Sequence, residues 1–295
     1  MQDIITPDIV SVEKEKNKIM PSTLYLVATP IGNMSDISER AVKVLSEVSF
    51  IAAEDTRNTG KLLSVLNIKK SMISYFEHNK RERGEQIVKR LLDGESCALV
   101  TDAGTHAVSD PGEDLVLLCV ENGVFVTSVP GCCAAINALT LSALPTRRFV
   151  FEGFLEGNQK ARRERLEELK SEKRTLVMYE SPHALVETLG LISEVFGNRK
   201  ISLCREMTKL NEDIMRTTLA EALEYYAKHQ PRGEYVLVVE GLTSEEMFWS
   251  NMTVADHVRH YLSMDMSKMD AIKQTAKDRG VGKNAIYKEI IDEDI

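Results

Sequence analysis

The sequence predicts an α/β fold in which two α/β domains are followed by a small helical region. Short apolar runs with strand composition alternate with amphipathic segments of helix length from residue 22 to residue 241. The alternation restarts after Pro145, and helical periods continue beyond Gly241 with no strand candidate. Such alternation is typical of parallel strands joined by right-handed crossovers. At 295 residues, of which 43% are hydrophobic, the chain is long enough for about two such domains.

The domain boundaries follow from these changes of pattern. The residues up to Pro21 mix charges without an amphipathic period, which predicts a loosely held extension. A boundary between the α/β domains is expected between Leu144 and Arg148, where the alternation restarts. The predicted division is therefore 1–21 (flexible extension), 22–145 (N-terminal α/β domain), 146–242 (C-terminal α/β domain) and 243–295 (helical tail).

In the first domain, each apolar run predicts a strand and the amphipathic stretch after it predicts a helix. The strands are expected at 24–28, 50–53, 72–76, 97–100 and 124–129. The helices are expected at 37–48, 56–66, 81–92, 115–120 and 132–144.

In the second domain, strands are expected at 149–154, 175–179, 200–205 and 235–240, with helices ending at 173 and spanning 182–196 and 219–229. In the tail, Ser267 is expected to cap a helix that runs to Arg279 and is ended by Gly280. A second short helix at 283–290 completes a pair that resembles a helix-turn-helix.

The composition excludes a uniformly basic surface, because the formal net charge is -8. Any contact with nucleic acid must therefore come from local patches. No apolar run approaches the roughly 18 residues of a membrane span, and the first residues lack the basic start and apolar core of a signal peptide. We therefore expect a cytoplasmic protein with no membrane association.

The cysteines and histidines do not predict a metal site or a disulfide framework. The cysteines show no CxxC spacing, and most lie in or beside apolar runs, at Cys97, Cys119, Cys132, Cys133 and Cys204. They are interpreted as reduced and mostly structural. The loop residues His78, His106 and His183 share no spacing typical of metal ligands, so we expect no metal.

The stretch from Ser96 to Gly112 passes from a buried strand into a long polar loop and then into a helix. Asp110 is expected to be the helix N-cap, with Pro111 in the first helical position. In open α/β sheets, ligands bind outside the carboxyl ends of the strands, and loops this long are usually functional or disordered. The alternative is a surface turn whose aspartates only cap backbone donors.

Further polar loops follow the other predicted strands, and in a parallel sheet such loops emerge at one edge and can converge on one cleft. The chain has no GxGxxG after its first strand and no GxxxxGK[ST], so neither ordinary dinucleotide binding nor a P-loop is supported. The loops lie at 29–33, 54–58, 101–112, 130–135 and 180–183.

The run Glu54-Asp55-Thr56-Arg57 combines carboxylates and a guanidinium at a strand end. Such a group can serve as a base, an anchor or a phosphate clamp. The alternative is a capped helix with a local ion pair. Both interpretations are open on the sequence alone.

The tail carries a local excess of positive charge that opposes the balance of the chain. From Ser267 to Ile290, six basic residues face three acidic ones. The basic residues are candidates for RNA binding, although charge runs on helices usually only face water. They are Lys268, Lys273, Lys277, Arg279, Lys283 and Lys288.

Taken in order, these loops closely resemble the ribosomal RNA small subunit methyltransferase I family from about residue 23 to residue 241, and the helical tail resembles that family's extra C-terminal domain. The motifs that carry the resemblance are Ala28-Thr29-Pro30-Ile31-Gly32-Asn33, Ala53-Glu54-Asp55-Thr56-Arg57, Glu77-His78-Asn79, Asp102-Ala103-Gly104-Thr105, Ser109-Asp110-Pro111-Gly112, Leu144-Pro145-Thr146, Phe151-Glu152-Gly153-Phe154-Leu155 and Tyr179-Glu180-Ser181-Pro182-His183.

The resemblance implies a tetrapyrrole-methylase-like fold with a mainly parallel N-terminal sheet, a mixed C-terminal sheet and S-adenosylmethionine between the domains. It also implies a homodimer that acts on small-subunit rRNA or the ribosomal subunit. The implied reaction is 2′-O-methylation of a cytidine ribose in the decoding region of 16S rRNA.

Carried over position by position, the resemblance assigns residues to two groups. Asp55 and Arg57 become candidates for handling the hydroxyl proton and an RNA phosphate. Asp102 is expected to shape the cofactor loop. The residues expected to line the cofactor pocket are Pro30, Gly104, Thr105, Val108, Cys133, Ala134 and Glu180.

The chain departs from the family pattern in two of the expected cofactor loops. His106 and Ala107 stand where the family usually has Pro and Gly, and Cys132-Cys133 stands where it has Pro-Ser. Replacing proline with His106 removes the ring that fixes the backbone φ angle. A cysteine thiol forms weaker hydrogen bonds than a serine hydroxyl.

Two other functions stay open. A tetrapyrrole methyltransferase shares the fold, but such enzymes typically open with a Gly-Pro-Gly-Asp loop and carry Gly-Gly-Asp-Pro where this chain has Ala103-Gly104-Thr105-His106. The other is a non-catalytic RNA-binding relic that no longer holds the cofactor.

Overall fold

In the described part of the chain, the protein has two five-stranded sheets, each flanked by helices, and a module of three helices. The structure is a computed structural model that describes residues 18–105, 111–243 and 247–291. The predicted α/β class, with its parallel first sheet, is confirmed.

The first sheet contains strands β1 to β5 in the order β3-β2-β4-β1-β5, and every pair is parallel. The strands are β1 (Thr23–Val27), β2 (Phe50–Ala53), β3 (Met72–Ser74), β4 (Ser96–Val100) and β5 (Phe125–Val129). The helices that connect them are α1 (Glu39–Glu47), α2 (Thr56–Val65), α3 (Lys80–Leu92) and α4 (Gly112–Glu121).

Both faces of this sheet are covered, which explains why its central strands are continuous apolar runs. On one face, Leu24 and Phe50 pack with residues of α3 and α4 such as Ile87 and Leu115. On the other face, Tyr25 and Ile51 pack with residues of α1 and α2, including Val44, Leu45 and Leu63. Helix α4 begins one residue later than predicted, with Pro111 as its N-cap, and Asp110 lies outside the described residues.

Helix α5 (Ala134–Leu141) follows β5 in the chain but packs against the second sheet. Its residues Ala135, Ala138 and Leu139 lie in a buried cluster with side chains of that sheet such as Val177 and Val236. The loop between β5 and α5 therefore passes from one sheet to the other.

The second sheet has the order β6-β7-β10-β8-β9 and is mixed, as the family resemblance implies. Strands β6 and β7 are parallel, and the other three pairs are antiparallel. The strands are β6 (Phe149–Phe154), β7 (Thr175–Glu180), β8 (Lys200–Arg205), β9 (Asp213–Thr218) and β10 (Tyr235–Val239). Helices α6 (Gln159–Leu169), α7 (Leu185–Phe196) and α8 (Leu219–Tyr226) cover the face opposite α5.

Strand β9 is absent from the sequence prediction, because its residues DIMRTT form no apolar run and it is a half-exposed edge strand. It pairs with β8 as a hairpin, so no crossover helix separates the two strands. Alternation alone therefore gives the wrong pairing in this half of the chain.

The tail folds as α9 (Val254–Leu262), α10 (Lys268–Arg279) and α11 (Lys283–Glu289) around an apolar cluster that includes Val258, Ile272 and Ile286. The hydroxyl of Ser267 caps α10 by accepting from the Asp270 N–H at 3.2 Å. Gly280 ends this helix with a φ of +66°. In the part of the chain that the structure describes, no helix is long and apolar enough to cross a membrane.

Candidate functional site

Three loops interlock at the carboxyl edge of the first sheet, after β1, β4 and β5. The backbones of Thr29 and Gly104 exchange two hydrogen bonds: the Thr29 N–H donates to the Gly104 carbonyl at 3.0 Å, and the Gly104 N–H donates to the Thr29 carbonyl at 3.1 Å. The Thr105 hydroxyl donates to the Cys132 carbonyl at 2.8 Å. The loop after β4 is thereby fixed to the loops after β1 and β5.

Glycine is required at two positions of this arrangement. Gly104 has a φ of +85°, and a Cβ there would lie 3.3 Å from Ile31 Cγ2 and 3.5 Å from the Cys132 carbonyl oxygen. A Cβ on Gly131 would lie only 2.8 Å from the Cβ of Ala28. At Gly104 an added Cβ would crowd the side chain of Ile31, and at Gly131 it would crowd that of Ala28.

A cavity of about 250 Å³ opens beside these loops, between the loop after β1, the helix α2 and the loop after β4. Thr29 is 2% exposed, and its hydroxyl has no hydrogen-bond partner among the described residues. A buried hydroxyl without a partner is costly, so it is a candidate ligand contact. The cavity is lined by Thr29, Pro30, Met34, Asn58, Lys61, Leu62, Val65 and Asp102.

The sequence predicted some of the residues that line this cavity. Pro30 and Asp102 are predicted site residues, and Thr29 and Asn58 lie in loops that the strand ends single out. Asn58 donates to Asp102 Oδ2 at 3.3 Å, which joins the loops after β2 and β4. Lys61 was missed, because a lysine inside an amphipathic helix carries no signal of its own.

Asp55 and Arg57 lie at the start of α2 and are engaged with each other. Asp55 is the N-cap and accepts from the Arg57 backbone N–H at 2.8 Å. The guanidinium donates from Nε to Asp55 Oδ1 at 3.1 Å and from Nη2 to Oδ2 at 2.8 Å. These hydrogen bonds from Arg57 lower the pKa of Asp55 to about 2. Such a carboxylate is a weak base, so the geometry disfavours Asp55 as the acceptor of a hydroxyl proton.

The Arg57 side chain is 86% exposed despite this pairing. Its fork is therefore oriented by Asp55 and still open to a ligand in solvent. The two interpretations of this motif thus coexist, since the residues form a capped helix with an ion pair and also present a guanidinium.

Glu180 is placed differently from the expectation. Its side chain is buried at the end of β7, where one carboxylate oxygen accepts from the Ser181 N–H at 2.7 Å and the other from the Thr188 hydroxyl at 2.5 Å. Both oxygens are used within the C-terminal domain. This geometry favours a role in anchoring the end of β7 to α7, and the place of Glu180 in the cofactor pocket stays a prediction.

Cys133 and Ala134 lie at the start of α5, and Cys133 is its N-cap without a side-chain capping bond. The Cys132 thiol donates to the Asp36 carbonyl at 3.6 Å, so this departure from the family pattern forms a contact of its own. Val108 lies outside the described residues, as do His106 and Ala107.

The turn between β8 and β9 of the C-terminal domain contacts the loop after β1. A Cβ on Gly32 would lie 2.4 Å from Lys209 Cγ and 3.1 Å from Thr208 Oγ1. The Lys209 ammonium donates to Glu206 at 2.8 Å and to Glu234 at 2.6 Å, which fixes the turn in place. The sequence analysis missed this contact, because it joins residues that are distant in the chain.

The basic residues of the tail divide into two groups. Five lysines are exposed on α10 and α11, and one of them, Lys273, pairs with Asp270 at 2.9 Å. Arg279 instead turns inward, where Nε donates to His257 Nδ1 at 3.1 Å and Nη2 to the Met252 carbonyl at 2.7 Å. The prediction that Arg279 binds RNA is therefore replaced by a structural role.

No group of three or more His, Cys, Asp or Glu side chains is placed to hold a metal ion in the described ranges.

The sequence is similar to two characterised groups of proteins. The family model of Tetrapyrrole (Corrin/Porphyrin) Methylases matches residues 23–223. Ribosomal RNA small subunit methyltransferase I of Halalkalibacterium halodurans is 46% identical over 269 residues, which cover 90% of this chain and 93% of that protein. The protein of the same name from Bacillus subtilis is 42% identical over 269 residues, covering 90% and 92%.

Solved structures share the fold at low sequence identity. Diphthine synthase has a TM-score of 0.56 at 14% identity, covering 75% of this chain and 90% of its own. Uroporphyrin-III-C-methyltransferase from Thermus thermophilus has a TM-score of 0.54 at 19% identity, covering 74% and 94%. With the sequence similarity and the interlocked loops, these likenesses lead to one conclusion: the chain belongs to the tetrapyrrole methylase family and, within it, to the ribosomal RNA small subunit methyltransferase I family.

Proposed function

We propose that the protein methylates the ribose 2′-hydroxyl of a cytidine in the decoding region of 16S rRNA. Family membership makes it a methyltransferase with S-adenosylmethionine as its cofactor. The atom and the nucleotide come from the resemblance of its loops to that family. The observation that carries the proposal is the buried, unpartnered Thr29 hydroxyl on the cavity beside the Gly104 loop.

The residues at this edge fit a nucleoside cofactor. Gly104 joins the loop after β4 to the loop after β1 through its backbone, and Pro30 and Asp102 line the cavity. On the resemblance, Gly104, Pro30, Thr105, Cys133 and Ala134 form the proposed cofactor set. We keep Val108 in this set on the resemblance alone. When bound, the sulfonium supplies a methyl group that is already activated for transfer, so the protein mainly contributes positioning and a dry cleft.

Arg57 is proposed to bind an RNA phosphate, with Asp55 as the residue that orients its fork. Asp102, which lines the cavity, is the carboxylate we propose as acceptor of the hydroxyl proton. Replacing Asp102 with Asn should lower kcat and leave the Kd for S-adenosylmethionine nearly unchanged. A matching loss of cofactor affinity would assign Asp102 to the cofactor loop instead.

The five exposed tail lysines (Lys268, Lys273, Lys277, Lys283 and Lys288) are proposed to contact rRNA phosphates. We also propose that the protein acts in the cytoplasm and forms a homodimer. Sedimentation of the purified protein tests the dimer directly.

The function is tested with labelled S-adenosylmethionine and small ribosomal subunits from a strain that lacks this protein. Label in the rRNA, mapped to one cytidine by its resistance to alkaline cleavage at the 2′-methylated ribose, is the expected result. Label on the base, or none in the rRNA, contradicts the proposal. Calorimetric titration with S-adenosylmethionine addresses the relic alternative, since a relic gives no heat of binding.

A further inference from the structure

The carboxyl end of β6 contains a feature that the interlocked loops do not explain. A β-bulge interrupts the pairing of β6 with β7 between Phe151 and Gly153, and Gly153 has a φ of +63°. Glu152, the extra residue, is held by Arg165, which donates to its carboxylate from Nε at 3.0 Å and from Nη2 at 2.8 Å. The bulge is therefore fixed in place, and bulges of this kind often redirect a side chain beside an active site.

The bulge changes which face of the sheet Phe154 occupies. In a regular strand, Phe151 and Phe154 would point to opposite faces, since they are three residues apart. Here both rings contact Tyr179, with centroid distances of 5.2 Å for Phe151 and 5.5 Å for Phe154. The next residue, Leu155, is buried in the core on the opposite face. The extra residue thus brings Phe154 to the face covered by α5.

Packing does not account for this placement. Phe154 remains 53% exposed. Its support, Tyr179, packs with Cys133 in the cluster under α5. The exposed ring is thereby connected through one side chain to the start of α5, where the proposed cofactor loop ends.

We propose that Phe154 is a stacking platform for a nucleobase bound at this site. The ring has a rigid aromatic support and an open face, and base stacking on an aromatic side chain tolerates any base. The base is either that of the target nucleotide or the adenine of the cofactor, since both present the same planar chemistry. This inference rests on the proposed function and adds a residue to it.

The test compares Phe154→Ala, Phe154→Leu and Phe154→Trp with the wild-type protein. Tyr225→Ala is the matched control, because Tyr225 is also an exposed aromatic residue of this domain, at 40%, but lies on α8 across the sheet. Two quantities are measured: the Kd for S-adenosylmethionine by calorimetry, and the KM for unmethylated small ribosomal subunits. Thermal melting confirms that each variant is folded.

Phe154→Ala and Phe154→Leu should raise either the Kd or the KM by about tenfold. In Phe154→Trp and Tyr225→Ala, both values should stay near those of the wild type. A raised KM identifies the RNA base as the partner, and a raised Kd identifies the adenine. The inference is overturned if Phe154→Ala leaves both values within twofold of wild type, or if leucine restores them as well as tryptophan does. A wild-type protein that does not methylate the subunits contradicts the proposed function, and the stacking proposal then stands only if Phe154→Ala raises the Kd for S-adenosylmethionine.

Discussion

Thr29 and Gly104 exchange two backbone hydrogen bonds, and only one of the two residues has a side chain to offer at that point of contact. The pair fixes the spacing of the loops after β1 and β4. It also leaves the buried Thr29 hydroxyl without a hydrogen-bond partner among the described residues. These two features can be removed separately by mutation.

Gly104→Val should abolish binding of S-adenosylmethionine while the domain stays folded, because the new side chain meets Ile31 and the Cys132 carbonyl. The control is Gly94→Val, since Gly94 also has a positive φ, of +95°, but no atom within 4 Å of an added Cβ. The control should lose some stability and keep its affinity. Unchanged calorimetric titration of Gly104→Val would remove this loop from the cofactor site.

Thr29→Val removes the buried hydroxyl and keeps the shape of the side chain. Because this hydroxyl has no partner in the described protein, the free energy of unfolding should be unchanged or rise by about 1 kcal/mol. If the hydroxyl forms a hydrogen bond with the cofactor, the Kd of the variant for S-adenosylmethionine should rise by about tenfold. Equal cofactor affinity in the variant and the wild type would show that the hydroxyl faces no ligand atom.

Arg57→Lys should raise the KM for small ribosomal subunits more than it changes the Kd for the cofactor, because lysine lacks the planar fork.

The low pKa of Asp55, about 2, adds a pH criterion. The ion pair contributes its full stability above pH 3.8 and loses it as the pH falls through 2. A fall of the reaction rate at mildly acidic pH would therefore come from another group, and it should persist in the Asp55→Asn variant. Its disappearance in that variant would identify Asp55 as the base.

Deleting the residues after Gly241 should weaken binding of small-subunit rRNA and flatten its salt dependence, by about one unit of slope for each lost phosphate contact. The substitutions Lys277→Gln, Lys283→Gln and Lys288→Gln combined should reproduce part of this effect, whereas Lys228→Gln, just after α8, should not. Cofactor binding should survive in all of these variants. Identical slopes for full-length and shortened protein would shift attention to the basic run at 160–165.

The tail module should lose stability in mildly acidic solution. His257 is fully buried, and burial together with the Arg279 guanidinium lowers its pKa below 6.5, against the opposing effect of Asp278. The contribution of neutral His257 is therefore complete above pH 6.5 and is lost as the pH falls through the lowered pKa. Trp249, the single tryptophan of the sequence, stacks on this imidazole at 5.4 Å and reports the change by fluorescence. A constant signal from pH 8 to pH 4.5 would contradict the prediction.

How much the sequence predicted depended on whether the signal was local. The strands of the first sheet are apolar runs with a helix after each, so class, order of elements and the edge where the loops meet follow from periodicity. Ser267 and Gly280 likewise mark their helix by capping chemistry alone. The hairpin strand β9, the contact of Lys209 with Gly32 and the inward turn of Arg279 depend on pairings between distant residues. Periodicity carries no information about such pairings.

The packing of α5 on the second sheet has a practical consequence for dividing the protein. A fragment that begins at residue 146 would leave Val177, Cys204, Val236 and Val238 facing water, because the helix that covers them would stay with the other piece. Such a fragment should aggregate when expressed alone. A fragment that begins near residue 131 would carry its own cover, although the loop after β5 would then no longer belong to the first half. After a division near residue 131, neither half alone holds all three interlocked loops, so activity should return only when the two pieces are expressed together and reassemble.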